Sequence, residues 1–308
     1  MPTRLIRLCV GLLALTIGCA AAGAFVDAKS NGRLWFFLWD LLSSTAHGGD
    51  HIVVGDVNIY YEVFGSGPPL LVLHGGLGSL VDMRHQIESL ARNHLVIAPD
   101  SRGHGHSTDS PAPLSYAEMA EDAHALLDRL EIHKVDIVGW SDGGIIGLRL
   151  ALRYPEQVGR LVVIGANFDP AGLVNPPSPD PRVPPAPRLY RWTAPDPAYW
   201  PVLHRKVTAM WRTQPHFTLQ ELGRIRSPTL VMAGEFDVIK RAHTDSMAAA
   251  IPGAQEYIIP GATHEAPLTH PVAVNAQIGK FLDARCNESQ RPSGVLYGKA
   301  CKVFSVAG

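Results

Sequence analysis

From His51 onward the apolar and polar positions fall into two alternating rhythms. Nearly unbroken apolar runs at residues 70–73, 95–98, 135–138, 161–164, 229–232 and 256–259 predict strands covered on both faces, as in a parallel sheet. Runs at 52–54 and 59–64 predict an opening antiparallel pair. Helical spacing lies between these runs. Ser115-Tyr116-Ala117-Glu118 is a capping box, followed by Met119, Ala123, Leu126, Leu127 and Leu130 at intervals of three and four. Strands and helices in alternation predict an α/β fold with a mostly parallel, doubly wound sheet.

Between Asn167 and about residue 220 the rhythm stops. Prolines crowd Pro170 through Pro201, and Tyr190, Trp192, Tyr199, Trp200 and Trp211 are scattered among them. A long insertion inside a compact domain is usually functional, and this one is expected to form a cap over the carboxyl edge of the sheet. The expected organisation is a globular domain over 51–286, with the cap at about 167–220. A linker or amphipathic segment at 25–50 would precede it and a loosely structured tail at 287–308 would follow.

The first 24 residues read as a signal peptide or a membrane anchor. Arg4 and Arg7 precede an uncharged apolar run from Leu8 to Val26. Ala22-Gly23-Ala24 fits a small-x-small cleavage site, while the run is also close to the ~20 residues that span a bilayer. A lipid-anchored Cys19 is a third option with a poor lipobox. Each reading exports the remainder, to the periplasm or beyond. Leu34-Trp35-Phe36-Phe37-Leu38-Trp39 could rest on a membrane or pack on the body. Of the four cysteines only Cys286 and Cys301 lie outside the leader, and an oxidising compartment would let them pair. Charge is balanced, 27 Lys and Arg against 28 Asp and Glu, and no basic run suggests nucleic acid as a partner.

The candidate chemistry centres on Gly139-Trp140-Ser141-Asp142-Gly143, between a predicted strand and a predicted helix. A tight turn there strains the serine backbone and lifts its hydroxyl above the sheet, and glycines keep the flanks clear. Serine needs a base to become nucleophilic. His264 follows the run at 256–259, and Asp237 follows the run at 229–232, so all three reach one sheet edge in the order Ser, Asp, His. Asp169, Glu235 and Asp245 are rival acids. In His74-Gly75-Gly76-Leu77-Gly78 the N–H of Gly76, with Leu77 as the alternative, would join that of Asp142 in an oxyanion hole. His104 and His106 lack an evident companion carboxylate or cysteine cluster, so a metal is not expected, nor is any organic cofactor.

These motifs resemble the α/β-hydrolase superfamily over residues 51–286. Gly139-Trp140-Ser141-Asp142-Gly143-Gly144-Ile145 and Gly165-Ala166-Asn167 are similar to the biphenyl hydrolase-like (valacyclovir hydrolase) group, and small carboxylesterases and enol-lactonases share them. The resemblance implies the α/β-hydrolase fold and cleavage of a small-molecule ester, an amino-acid ester or a lactone through an acyl-serine. It also implies a role for Asp142 in gripping a substrate ammonium. A non-catalytic binding protein on this fold, and carbon–carbon hydrolysis or acyl transfer with the same residues, remain open.

Overall fold

Strands that are apolar on both faces cannot sit at a surface and form the middle of the sheet, but the run at 256–259 departs from that expectation, lying at an edge with Glu256 exposed. The computed structural model describes residues 46–180 and 182–283. Eight strands make one sheet: β1 (Ala46–Val54), β2 (Val57–Gly65), β3 (Pro69–Leu73), β4 (Leu95–Pro99), β5 (Val135–Trp140), β6 (Val158–Ile164), β7 (Thr229–Phe236) and β8 (Gln255–Thr263). Their order is β1-β2-β4-β3-β5-β6-β7-β8. The first two pairings are antiparallel and the rest parallel. Every residue of β5 is buried, as a strand at the centre requires.

Successive side chains of these strands enter opposite layers. Leu71, Leu73, Ile137 and Val163 join a cluster with the helices α2 (Tyr116–Arg129) and α3 (Asp142–Arg153). Leu70, Val72, Val138 and Val162 join another, whose helical side is a segment at Arg84–Leu90, here α1, and a last helix at Pro271–Asp283. Helix α2 begins as its sequence predicts: the Ser115 hydroxyl oxygen accepts the Glu118 N–H at 3.1 Å, and Met119, Ala123, Leu126 and Leu127 face the core.

Two boundaries differ from expectation. Residues 46–50, read as linker, already belong to β1 and pair with β2. At the other edge, β8 runs on through Pro260 to Thr263. A proline is tolerated there because an edge strand has one unpaired side. The extension sets His264 immediately at the strand's end. The leader, most of the linker, and the tail with Cys286 and Cys301 lie outside the described residues.

No strand occurs between 165 and 228 among the described residues. This insertion carries α4 (Arg188–Thr193), α5 (Trp200–Thr213) and α6 (Leu219–Leu222). Tyr190 and Trp200 pack ring to ring at 5.0 Å. Several hydrogen bonds bind the insertion to the body. Lys206 Nζ donates to Asp109 Oδ2 at 2.8 Å and to the Ser110 carbonyl at 2.6 Å. The Tyr199 hydroxyl donates to the same Asp109 oxygen at 2.7 Å. Gln214 accepts the Tyr116 N–H and donates to the Leu114 carbonyl. Of the remaining helices, α7 (Arg241–Ala250) joins the layer of α2 and α3 through Met247, while α8 (Ala266–Thr269) and α9 (Pro271–Asp283) lie in the layer of α1.

Candidate active site

Ser141 sits in the turn between β5 and α3 with φ 54° and ψ −118°, a region that side chains rarely occupy. Its N–H is tied to the Ile164 carbonyl at 2.7 Å, so the strain is held by the sheet. A Cβ at Gly139 would collide with the Gly143 carbonyl, and one at Gly143 with the carbonyls of Leu73 and His74. The two glycines are therefore what allows strand, turn and helix to approach this closely.

The imidazole of His264 lies between two oxygens. Its Nε2 is 3.0 Å from Ser141 Oγ and its Nδ1 is 2.8 Å from Asp237 Oδ1. The indole N–H of Trp140 donates to the His264 carbonyl at 3.0 Å, so the residue before the serine also fixes the loop carrying the histidine. Burial by itself would lower the His264 pKa. The hydrogen bond and charge of Asp237, with the charges of Glu265 and Asp142, outweigh it and hold the imidazole above its ordinary value. Burial likewise works to raise Asp237, yet its bond to His264 and the N–H groups of Ile239 and Gly234 leave it below the usual carboxylate range. Such an acid stays ionised and orients the ring.

The rival carboxylates are engaged elsewhere. Asp169 accepts from the Ala171 N–H and pairs with His216 at 2.8 Å. Glu235 accepts the Gly261 N–H, and Asp245 pairs with Arg241.

The turn after β3 abuts the serine, since a Cβ on Gly75 would lie 3.3 Å from Ser141 Cβ. His74 shapes this turn. Its Nε2 accepts the Ser101 N–H at 2.9 Å, so its Nδ1 carries the proton and donates to the Gly75 carbonyl at 2.7 Å. Burial, aided by nearby His104, depresses its pKa and keeps it neutral. Among the described residues the N–H groups of Gly76, Leu77 and Asp142 have no hydrogen-bond acceptor, so that of Asp142 and one from the turn after β3 can both meet a substrate oxygen.

Asp142 has partners that sequence reasoning missed. The residue is 5% exposed. It accepts from the Tyr116 hydroxyl at 2.8 Å and from the Trp211 indole at 2.8 and 3.0 Å, one to each oxygen. The oxygens expected to face a ligand ammonium thus already serve two protein donors. Burial pushes the Tyr116 phenol upward, helped by the Asp142 charge, so it remains a donor. The only sequence hints were the apolar setting of Tyr116 at a helix start and the aromatics of the insertion.

His106 does have a carboxylate, Asp100, 3.0 Å away. The same buried Asp100 accepts the N–H groups of Leu80 and His106, so it joins the loops beneath the site. No cluster of three or more metal-ligating side chains occurs among the described residues, and no helix there is long and apolar enough to cross a membrane.

Comparison with known proteins points the same way as the geometry. The alpha/beta hydrolase fold family matches residues 68–200. The serine hydrolase BPHL of Mus musculus is 27% identical over 267 residues, covering 77% of this chain and 87% of that protein. The 2-hydroxymuconate semialdehyde hydrolase of Pseudomonas sp. strain CF600 is 39% identical over 123 residues, covering 38% of this chain and 43% of that protein. The chain spans 43% of another curated relative as well, so several matches reach less than half of their relatives' length. A solved hydrolase from Pseudomonas aeruginosa PA01 superposes with a TM-score of 0.63 at 26% identity, covering 77% of this chain and 99% of that one. On its sheet order, its matched region and its similarity to BPHL, the chain has the α/β-hydrolase fold and resembles hydrolases built on it.

Proposed function

We propose that the protein is a serine hydrolase cleaving small carboxylic esters through an acyl-Ser141 intermediate. One observation carries this reading: the continuous contact from Ser141 Oγ to His264 Nε2 and from His264 Nδ1 to Asp237, at 3.0 and 2.8 Å. His264 takes the hydroxyl proton as Ser141 Oγ attacks the ester carbonyl. The N–H groups of Gly76 and Asp142 hold the oxyanion. The imidazolium then protonates the departing alkoxide. Water, deprotonated by His264, releases the acid and frees the serine, with no cofactor taking part. The closeness of cap residue Trp211 to the elbow supports a small acyl group.

The test is a panel of 4-nitrophenyl esters, amino-acid esters, lactones and a 2-hydroxymuconate semialdehyde, assayed on wild type beside Ser141→Ala. We expect ester turnover that disappears in Ser141→Ala, and labelling of Ser141 by an alkyl phosphonofluoridate. Equal turnover by the two chains would sink the reading, and cleavage of the semialdehyde alone would move it to carbon–carbon hydrolysis. Matched amino and des-amino esters address Asp142: equal losses in Asp142→Ala refute ammonium recognition.

A further inference from the structure

We propose that Trp211 is a positioning residue for the oxyanion hole, holding the Gly76 turn and the elbow residue Asp142 at one spacing. This rests on the ester-hydrolase reading. The two N–H donors belong to separate segments, Gly76 after β3 and Asp142 at the first turn of α3. The pairing of Leu73 with Gly139 spaces the two strand ends, and what it leaves to be set is how closely the turn beyond β3 approaches the start of α3. A hole works only when both donors meet the position that the oxygen takes in the transition state, about 2.7–3.1 Å from each.

Trp211 touches both segments from the cap. Its indole N–H is shared by the two Asp142 oxygens at 2.8 and 3.0 Å. The edge of its ring packs so closely on Gly76 that a Cβ there would be 2.7 Å from Cζ2, and it would also strike the Asp142 carboxylate. From below, the Tyr116 hydroxyl anchors that carboxylate at 2.8 Å. Asp142 is thus fixed from the body, and the indole is the wedge that sets how near the Gly76 backbone comes.

Because Trp211 lies on α5, a shift of the cap moves this wedge. The hole is therefore complete only with the cap seated, and the effect of losing the wedge falls on kcat and not on KM.

The experiment uses full-length wild type, Trp211→Phe and Asp142→Asn, assayed on 4-nitrophenyl propionate and its thiono analogue. Sulfur in place of the carbonyl oxygen is held poorly by such a hole, so the oxygen-over-sulfur preference reports its geometry. For Trp211→Phe we expect kcat to fall about tenfold or more, with KM within about twofold. The oxygen-over-sulfur preference should shrink by the same factor. Asp142→Asn, which keeps an acceptor for the indole, should retain most of the preference. An unchanged kcat in Trp211→Phe, or a loss of kcat that leaves the preference untouched, overturns the role. Should the Phe variant melt more than about 10 °C lower, Trp211→Tyr replaces it with the same expectation. Failure of the function itself has a different signature, equal activity in wild type and Ser141→Ala, so the two failures are told apart.

Discussion

His264, the base of the proposed mechanism, lies in surroundings that oppose its charged form, and Asp237 reverses that opposition. Because the net shift is upward, the imidazole stays protonated to a higher pH than a free one. The rate should therefore fall as pH drops through a midpoint above the ordinary imidazole value of ~6.5. In Asp237→Asn the largest raising influence is gone while burial remains, so the midpoint should move acidward while kcat falls about 10⁴-fold. Asp169→Asn, at a carboxylate occupied by His216, should change the rate by less than about twofold. A pH–rate profile of the three chains measures all of this. The meeting of Ser141, Asp237 and His264 was readable because strand ends could be counted and only a few residue types suit such a contact. The partners of Asp142 were not readable. Tyr116 and Trp211 lie 26 and 69 residues from it, and no local pattern says which aromatic closes over which carboxylate.

Elements were legible in proportion to how regular they are. The buried runs gave the strands, and Ser115 marked the start of α2. The extra length of β8 was hidden by a proline that only an edge position accepts, and sheet order decides which strand is the edge. The cap was visible as an interruption, yet its fastening was not, because Lys206 and Asp109 are 97 residues apart. That pair is partly shielded, with side-chain exposures of 14% and 3%. Replacing Lys206 with methionine leaves the buried Asp109 carboxylate with Tyr199 as its remaining side-chain donor. The expected cost is about 3 kcal/mol, read from the denaturant midpoint at unchanged slope, and an unaltered midpoint would show the tie to be idle.

At the scale of the molecule, the sheet order brings three distant loops to one rim, and no single segment contains the site. The first 24 residues lie outside the described residues, and their reading rests on their sequence pattern. We propose export, and expect protein recovered from the periplasm to have an intact mass lacking the first 24 residues, while the full mass in a membrane fraction would favour an anchor. The order of the elements also has a consequence in time. The alcohol and its helix precede the cap in the chain, whereas the acid and the imidazole follow it. Ser141 and His264 are separated by 123 residues, so at ~5–20 residues per second a ribosome needs roughly 6–25 s to pass from one to the other. On the proposed mechanism the emerging polypeptide carries throughout that interval an alcohol without its proton acceptor, and reactivity arrives only when the last strand joins the sheet.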